Sequence, residues 1–369
     1  MIRLSKSVVG KAEAEAVAHI IEDIGYLGMG ETVGLLEHEL EDFIGGGRCC
    51  ICVNSGTAAL HLAIQAVTQP GDEVLVPSFT FVASYQAITA AGCRPVSCDI
   101  DPETLTLDLH DAERRITPRT KAMMPVYYAS NCRMARQYQD FAREHGLRLV
   151  EDAAHAFGCA VDGQKIGSFG DVVCFSFDGI KNITTGEGGA IFTADDDVIQ
   201  QVSDARLLGV QKDSEKRYAG KRSWTFDVID QGYRYHMSNI FAAIGRVQLT
   251  RFLPEFAPRR RAIAQRYTQL LKDTPYVRLT PMDYEHDIVP HIFAVQILDG
   301  KRALLEQRLK EADIQYGIQY APNHHLTYFK ADYPLPVTDE VYARIISLPM
   351  HPELTDEQIQ QICHIINSL

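Results

Sequence analysis

The sequence predicts an open α/β fold in which a largely parallel sheet is flanked by helices on both faces. Short apolar runs, partly β-branched and bounded by glycine or charged residues, recur through the first half of the chain, as is typical of buried strands. Helical patterns separate these runs, and parallel strands need such crossover connections. After about residue 250 the order of helices and strands changes, which indicates a second, smaller α+β domain. With 369 residues the chain is long enough for two domains.

The composition is that of a globular protein and argues against several classes of function. Hydrophobic residues make up 46% of the chain and charged residues 23%, as in most globular domains. The net charge of -12 argues against nucleic acid or an anionic membrane as the main partner. No apolar run reaches the roughly 18 residues that suggest a membrane span, and the N-terminus lacks the apolar core of a secretory signal. The nine cysteines are scattered, so we expect reduced thiols, a cytoplasmic location and no metal site.

Residues 147–193 contain the side chains on which a catalytic hypothesis depends. Three buried strands are predicted here, at 147–150, 172–177 and 190–193. Asp152 follows the first strand, Lys181 follows the second, and a glycine-rich turn at 186–189 precedes the third. Open α/β sheets bind ligands in the crevice beyond their strand ends. A lysine in a dry crevice can lose its proton near neutral pH and attack a carbonyl as an amine, so the sequence indicates Schiff-base chemistry.

The turn at 54–57 is a candidate phosphate site. It follows a predicted strand at 49–53 and opens a helix, and it contains Ser55, Gly56 and Thr57. Such a turn offers free backbone N–H groups, two hydroxyls and the positive end of the helix dipole. A serine that merely caps an ordinary helix is the alternative, and the lysine and aspartate further along the chain favour the phosphate.

Three segments of this sequence, NSGTAALHLA, EDAAHAFG and GSFGDVVCFSFDGIKNITTGEGG, resemble the DegT/DnrJ/EryC1/StrS family of pyridoxal-phosphate (PLP)-dependent nucleotide-sugar aminotransferases. The match in order and spacing runs from about Tyr26 to Met350. The resemblance implies an aspartate-aminotransferase-like fold (PLP fold type I), with a large PLP-binding domain at 1–249 and a small domain at 250–369. It also implies a homodimer with active sites at the interface.

The resemblance assigns cofactor contacts to particular residues. Lys181 would hold PLP covalently, and Asp152 would face the pyridine nitrogen, which makes these two the candidate catalytic residues. Phe81 would stack on the ring, with core packing as the alternative, and His155 would reach the ring hydroxyl. The neighbouring subunit would contribute His236, where the family commonly has Asn or Arg. The full candidate set for cofactor binding is Ser55, Gly56, Thr57, Phe81, Asp152, His155, Ser176, Lys181 and His236.

The substrates implied by the resemblance are a nucleotide-diphosphate keto-sugar and L-glutamate as amino donor. The candidate substrate-binding residues are Tyr26, Gly28, Glu187 and His324. A simple helix–helix turn is the alternative for the first two, and a solvent-facing acid is the alternative for Glu187. His324 and His325 also suggest a metal site, but no carboxylate lies at ligand spacing and adjacent residues rarely face one site.

The sequence also bears on which reaction the family member performs. Relatives that remove a sugar hydroxyl carry histidine at the position of Lys181, so its presence favours transamination. The ending IKNITTGEGG is more like members that aminate the 4-keto position of 6-deoxyhexoses, although Asp178 replaces a frequent histidine. The pathway implied is synthesis of a surface polysaccharide, such as the O-antigen of lipopolysaccharide, or of another glycoconjugate. The alternatives are a 3-keto-sugar aminotransferase, another PLP enzyme of this fold, and a non-catalytic PLP-binding regulator.

Overall fold

A computed structural model gives the fold over residues 1–211, 213–221 and 224–369. The strands are β1 (Cys49–Val53), β2 (Glu73–Pro77), β3 (Arg94–Cys98), β4 (Thr120–Met123), β5 (Arg148–Asp152), β6 (Ala160–Val161), β7 (Gln164–Lys165), β8 (Val172–Ser176), β9 (Gly189–Thr193), β10 (Val277–Leu279), β11 (Phe293–Ile297) and β12 (Ile345–Leu348). Within the described residues they form a seven-stranded sheet, a three-stranded sheet and a two-stranded hairpin.

Helices surround both larger sheets. They are α1 (Lys11–His19), α2 (Glu31–Ile44), α3 (Gly56–Val67), α4 (Val82–Ala90), α5 (Leu109–Arg114), α6 (Ala135–His145), α7 (Asp196–Ala205), α8 (Asp213–Tyr218), α9 (Asn239–Arg251), α10 (Ala257–Leu271), α11 (Arg302–Glu311), α12 (Pro336–Arg344) and α13 (Asp356–Asn367). Two π-helical turns, Ile20–Ile24 and Phe252–Phe256, continue α1 and α9. None of the helices in the described part of the chain is long and apolar enough to cross a membrane.

The large sheet has the order β1–β9–β8–β5–β4–β2–β3. Strand β9 runs antiparallel to both of its neighbours, whereas the adjacent pairs from β8 to β3 are all parallel. The predicted mostly parallel sheet is therefore confirmed. Because β1, β8 and β5 all point the same way, their carboxyl ends meet at one edge of the sheet, where ligands of open α/β sheets bind.

Alternate residues of each central strand belong to different cores. In β8, Val172 and Cys174 pack in one apolar cluster, while Val173 and Phe175 pack in the cluster on the opposite face. All five residues of this strand are buried. Burial on both faces explains why the strand is a continuous apolar run in the sequence rather than an alternating one.

Several helices begin at the capping residues that the sequence contains. Ser55 caps α3, Asp195 caps α7 and Ser238 caps α9, each accepting a backbone N–H from the first turn. Thr355 forms a capping box at the start of α13. Helix α6 ends at Gly146, whose φ of 65° is the left-handed conformation that glycine adopts without strain. Local chemistry therefore sets these helix ends.

The small antiparallel sheet has the order β10–β11–β12 and lies between residues 277 and 348. Its third strand follows α12 directly, with no glycine or proline between them to mark a boundary, and the sequence did not predict either element. The predicted domain boundary at 249/250 falls inside the last turn of α9. Near the N-terminus, Ile2 pairs with Ile314. The division into domains 1–249 and 250–369 stays a prediction.

The sequence of segment 209–235 is polar and irregular, which predicts one long loop, and a loop of that length is usually functional. The structure places α8 within it. Residues 212, 222 and 223 of that segment lie outside the described residues. The expectation of one irregular loop is corrected accordingly.

Candidate active site

The candidate site lies where the carboxyl ends of β1, β5 and β8 meet. Gly189, the first residue of β9, pairs with Val53 on one side and with Ser176 on the other. Asp152 is the last residue of β5 and pairs with Cys174 of β8. The sheet register therefore brings segments distant in sequence to one edge.

Asp152 is a buried carboxylate held by two hydrogen bonds. Ser84 Oγ on α4 donates to Oδ2 at 2.8 Å, and the Ala154 backbone N–H donates to Oδ1 at 3.2 Å. Burial raises the pKa of the Asp152 carboxyl, while these hydrogen bonds and the charge of Lys181 act in the opposite direction. The side chain is 5% exposed, so a ligand could meet it only from inside the site.

Lys181 is an enclosed amine whose charge interacts with Asp152. Burial lowers the pKa of Lys181 to about 8, against the opposing effects of Asp152 and Asp178. Its Nζ lies 3.4 Å from His291 Nε2. A lysine with such a pKa is partly uncharged near neutral pH, which is the condition for attack on a carbonyl.

Aromatic and imidazole side chains lie near Lys181 and Asp152. His155 Nε2 lies 3.1 Å from the Tyr320 hydroxyl, and the His155 ring lies 4.5 Å from the His291 ring, measured between centroids. The Phe81 and Tyr320 rings are 5.4 Å apart, and Phe81 is 55% exposed. Burial lowers the pKa of His155 and of His291 well below the usual value, so both rings are uncharged at neutral pH. An exposed Phe81 at this place speaks against the alternative of core packing.

The candidate phosphate site is the start of α3. Ser55 caps the helix, with its Oγ accepting from the Ala58 N–H at 3.1 Å, and Thr57 is exposed. A Cβ on Gly56 would lie 2.7 Å from the Ser176 Cβ, so a larger residue would push the helix start away from β8. The structure therefore brings together the four residues predicted to hold a phosphate: Ser55, Gly56, Thr57 and Ser176.

His236 lies next to this helix start. Its backbone forms an antiparallel bridge with Val53, the last residue of β1. Burial, and the nearby charges of Arg234, Arg217 and Arg206, lower the pKa of His236 to about 4. The imidazole is therefore neutral at physiological pH and could give a phosphate a hydrogen bond but no charge. Its predicted position across a homodimer interface stays a prediction.

Of the candidate substrate residues, Tyr26 lines a separate cavity of about 630 Å³ beside the start of α9, and Gly28 lies in the turn that follows Tyr26. The Tyr26 carbonyl accepts from Asn239 Nδ2 at 2.9 Å, and the Asn239 backbone N–H approaches the Gly28 carbonyl at 3.0 Å. Arg217 and Lys221 also line this cavity, whereas Lys181 does not. The turn at 25–30 is thus held in place by Asn239, the first residue of α9.

The other two candidate substrate residues have different surroundings. Glu187 is exposed, and burial together with the charge of Asp178 raises the pKa of its carboxyl. His324 is buried, with Nδ1 at 2.7 Å from Ser78 Oγ and Nε2 at 3.2 Å from Asp339 Oδ1. Both nitrogens of His324 therefore face protein groups, and its role as a sugar ligand stays a prediction.

Three residues of the pocket were not predicted from the sequence. Ser84 could have been found, because it lies on the same helix start as Phe81 and one turn of helix returns it to the strand ends. His291 and Tyr320 come from the C-terminal third of the chain, and no spacing pattern marks them. Only the packing of that part against the large sheet places them here.

A family model described as the DegT/DnrJ/EryC1/StrS aminotransferase family matches residues 8–367. The chain belongs to this family. A relative from Saccharopolyspora spinosa, a dTDP-4-dehydro-2,3,6-trideoxy-D-glucose 4-aminotransferase, is 36% identical over 367 residues, which are 98% of this chain and 95% of the relative. The resemblance found in the sequence is thus confirmed, and the chain is an aminotransferase.

Solved structures support the same family. The aminotransferase TlmJ from Streptoalloteichus hindustanus is 30% identical with a TM-score of 0.90, covering 100% of this chain and 98% of TlmJ. NtdA from Bacillus subtilis, with its cofactor PMP bound, is 25% identical with a TM-score of 0.86, covering 97% of this chain and 83% of NtdA. The aminotransferase therefore has the fold of PLP-dependent enzymes, and PLP is its cofactor.

The residues at this site fit PLP chemically. Two buried ring nitrogens, His155 Nδ1 and His291 Nδ1, have no hydrogen-bond partner within the described residues. Buried polar atoms without a protein partner indicate a place for water or a ligand. An amine with a lowered pKa, a buried carboxylate and a helix N-terminus match the aldehyde, the ring nitrogen and the phosphate of the cofactor.

Proposed function

We propose that this aminotransferase moves an amino group from L-glutamate to the 4-keto position of a 6-deoxyhexose carried on a nucleotide diphosphate. The observation that carries the proposal is that the buried side chains of Lys181 and Asp152 lie close enough for the charge of each to act on the other, in a chain 36% identical to a 4-aminotransferase of a dTDP-linked keto-sugar. The aminated sugar would enter synthesis of a surface polysaccharide, such as the O-antigen of lipopolysaccharide, or of another glycoconjugate.

Lys181 carries the amine that would bond to the cofactor, whereas the transferred amino group would come from L-glutamate. Bound PLP supplies an aldehyde that accepts the amino group and an electron-poor ring that stabilises charge on the reacting carbon. With its pKa lowered to about 8, Nζ of Lys181 is a nucleophile for a substantial fraction of the time near neutral pH. When it is not bonded to the cofactor, the same Nζ would be the base that takes a proton from one reacting carbon and the acid that returns it to another. His291 Nε2, 3.4 Å away, is placed to accept a hydrogen bond from Nζ and orient its lone pair.

Asp152 stabilises positive charge on the ring nitrogen. Its two hydrogen bonds, from Ser84 Oγ and the Ala154 N–H, fix the carboxylate and favour its ionised form. A fixed, buried charge stabilises a nearby opposite charge more strongly than a charge in water does, because no solvent has to reorganise around it. Ser84 is therefore a positioning residue that acts through Asp152.

Three further contacts would hold the cofactor in place. The start of α3 would bind the phosphate through the backbone of Gly56 and the hydroxyls of Ser55, Thr57 and Ser176, aided by the helix dipole. The exposed face of Phe81 would stack on the ring, and His155 would hydrogen-bond the ring hydroxyl. These residues would hold the cofactor at its phosphate, at one face of its ring and at its ring hydroxyl.

The nucleotide-sugar would extend from this pocket towards the turn that contains Tyr26 and Gly28. The cavity beside that turn contains two cations, Arg217 and Lys221, whose charge suits a diphosphate. Glu187 is a further proposed sugar contact. His324 is not one, because its two ring nitrogens face Ser78 and Asp339. A local positive site of this kind allows an anionic substrate to bind a protein whose net charge is -12.

A homodimer is part of the proposal. The stretch from Leu208 to Ile229 exposes large apolar side chains, among them Trp224, which is 87% exposed, and Phe226, which is 57% exposed. Clustered exposed apolar side chains are typical of a protein–protein interface. In a dimer built on this face, the segment around His236 would reach the partner's cofactor phosphate.

The test is a panel of dTDP-, UDP- and GDP-linked 3-keto and 4-keto sugars, each incubated with the PLP-loaded enzyme and L-glutamate. We expect amination of a 4-keto-6-deoxyhexose, detected by mass spectrometry of the sugar together with formation of 2-oxoglutarate. Amination of 3-keto sugars alone would overturn the proposed position of attack. Reaction only with free amino acids and 2-oxo acids would overturn the proposed substrate class.

A further inference from the structure

His324, His325 and Asp339 converge at the junction between the loop at 323–325 and helix α12; we call them the His–His–Asp cluster. His324 Nε2 lies 3.2 Å from Asp339 Oδ1, and His325 Nε2 lies 2.8 Å from the same oxygen. One ligand atom from each residue lies within 4.8 Å of the other two. Among the residues that the structure describes, no other three His, Cys, Asp or Glu side chains meet this condition.

The three atoms lie close enough together to bind one metal ion. Both imidazole nitrogens approach the buried Asp339 Oδ1, and neither contact has the angle of a well-aligned hydrogen bond. Around a tetrahedral zinc with bonds of about 2.0–2.2 Å, neighbouring ligand atoms are roughly 3.3 Å apart, so the separation of 3.2 Å fits and that of 2.8 Å would have to widen on binding.

Ser78 fixes the orientation of one imidazole of the cluster, that of His324, through the ring nitrogen that faces away from Asp339. Ser78 Oγ lies 2.7 Å from His324 Nδ1 and also accepts the His324 backbone N–H at 3.0 Å. A histidine that binds metal through one nitrogen almost always has the other nitrogen hydrogen-bonded, because this fixes the ring and its tautomer. Ser78 and His324 are both buried, so this orientation is part of the fold.

We propose that the His–His–Asp cluster binds one divalent transition-metal ion of the zinc class. Two imidazoles and one carboxylate suit zinc and its neighbours better than magnesium or calcium, which prefer oxygen ligands alone. The side chains of His325 and Asp339 are each about half exposed, at 48% and 44%, while Asp339 Oδ1 itself is buried. The sequence did not predict this site because the carboxylate comes from a different element, and only the fold brings Asp339 to the two histidines.

The ion would tie two parts of the chain together close to the active site. Asn323, next to the cluster, donates through Nδ2 to the carbonyls of Ser78 and Thr80, the residues that lead into Phe81. Asp339 belongs to α12, which precedes the last strand of the small sheet. The metal would therefore stabilise the folded protein by joining the small sheet to the loop before α4.

The test measures zinc in the PLP-loaded protein by equilibrium dialysis and elemental mass spectrometry, after treatment with a chelator. We expect one zinc ion per chain in the wild type, and at least tenfold weaker binding in His325→Gln and in Asp339→Asn. Both substitutions are at half-exposed positions and keep the approximate shape of the side chain. Zinc should also raise the Tm of the wild type and leave that of Asp339→Asn unchanged.

The matched control is His286→Gln, which removes an exposed histidine 3.2 Å from Asp283, a pair with no third ligand. This variant should bind zinc as the wild type does. The proposal is overturned if the wild type retains no zinc after dialysis. It is equally overturned if His325→Gln and Asp339→Asn bind zinc as tightly as the wild type, because the ion would then be held elsewhere.

Discussion

Lys181 and Arg206 are both enclosed cations, and their surroundings differ in a way that separates chemistry from support. Arg206 Nη1 donates to Glu37 Oε1 at 2.6 Å and to the Cys52 carbonyl at 2.7 Å, and Tyr218 donates to the other oxygen of Glu37 at 2.5 Å. These partners raise the pKa of Arg206, although burial acts to lower it. The charge is thus fully matched inside the protein.

Lys181 has no such match. Within the described part of the chain no salt bridge reaches its Nζ, and its near neighbour is the neutral ring of His291 at 3.4 Å. The charge of Asp152 acts on it, but burial outweighs that effect and the pKa of Lys181 falls to about 8. The fold therefore stabilises the cation at Arg206 and the free amine at Lys181.

This contrast indicates a structural role for Arg206 and a catalytic role for Lys181. A buried ion pair that is complete contributes structure, and removing one partner leaves an uncompensated charge. An ionisable group left without its partner is available for reaction, and such groups cluster at functional sites. Variants at the two positions should therefore separate activity from stability.

The largest effect is expected for Lys181→Ala. Loss of both the covalent amine and the proton carrier should lower turnover by ~10⁴-fold or more. The free energy of unfolding of the cofactor-free protein should not fall, because a poorly solvated cation has been removed. Turnover is measured as 2-oxoglutarate formed, and stability by urea denaturation at fixed protein concentration.

Lys165→Ala is the control for that variant. Lys165 is partly buried and donates to the Phe43 carbonyl at 2.6 Å, away from the candidate site. Its removal should leave turnover within about twofold of the wild type. Near-normal turnover in Lys181→Ala would break the comparison, since the amine would then have no catalytic role.

Arg206→Met should have the opposite profile. It leaves Glu37 buried without its cation, which should lower the free energy of unfolding by ~3–5 kcal/mol. The control is Arg246→Met, whose partner Glu39 is about as exposed as Arg246 itself, at 36% and 37%, so that loss should be below ~1 kcal/mol. If the two variants lost the same free energy of unfolding, the buried ion pair of Arg206 and Glu37 would contribute no more to stability than the exposed pair of Arg246 and Glu39.

Much of the pocket could be predicted from the sequence because its residues lie close together along the chain. Asp152, Ser176 and Lys181 fall at strand ends within one short stretch, and strands of that length have carboxyl ends that meet at one edge. The turn at 54–57 has a recognisable helix start. Local pattern and fold class placed Asp152, Lys181 and the turn at 54–57 at this edge, whereas Ser176 was added by the family resemblance.

The remaining residues could not be found in this way. Tyr320 and His291 reach the pocket only through packing of the small sheet against the large one, which no period or spacing records. The same holds for Asp339, whose absence from ligand spacing in the sequence led to the expectation of no metal site. Helix α12 and strand β12 were missed because one follows the other without a turn residue.

Ser84→Ala sharpens the comparison within the pocket. It removes the 2.8 Å hydrogen bond to Asp152 Oδ2 without touching Lys181. A hydrogen bond to a charged group contributes ~1.5 kcal/mol or more, so kcat/KM should fall by roughly tenfold. Since Asp152 would be less strongly held in its ionised form, the acidic limb of the pH–rate profile should also move to higher pH.

Thr89→Ala tests whether that effect is specific. Thr89 lies on the same helix, and within the described residues its hydroxyl donates to two backbone carbonyls of that helix, at 3.2 and 3.1 Å. Its loss should leave kcat/KM and the pH profile unchanged. If Ser84→Ala lowered kcat/KM without moving the acidic limb, Ser84 would have a packing role and no effect through Asp152.

The smallest effect concerns the pH dependence of PLP uptake by the cofactor-free protein. Raising the pH removes the proton from Nζ, so the rate should increase through the Lys181 pKa of about 8 and become level above it. Between pH 7 and pH 8 the neutral fraction, and with it the rate, should increase about fivefold. The two neighbouring histidines, His155 and His291, are neutral throughout this range and contribute no step to the profile.

The rates are followed by visible absorbance and divided by those of free Nα-acetyl-lysine, which cancels the titration of PLP itself. A free lysine with an ordinary pKa near 10.4 continues to speed up to pH 9, so the ratio should be nearly constant below about pH 7 and should fall steeply above about pH 8. A flat ratio would mean that Lys181 titrates like an exposed lysine, and the contrast with Arg206 would then lie in packing alone.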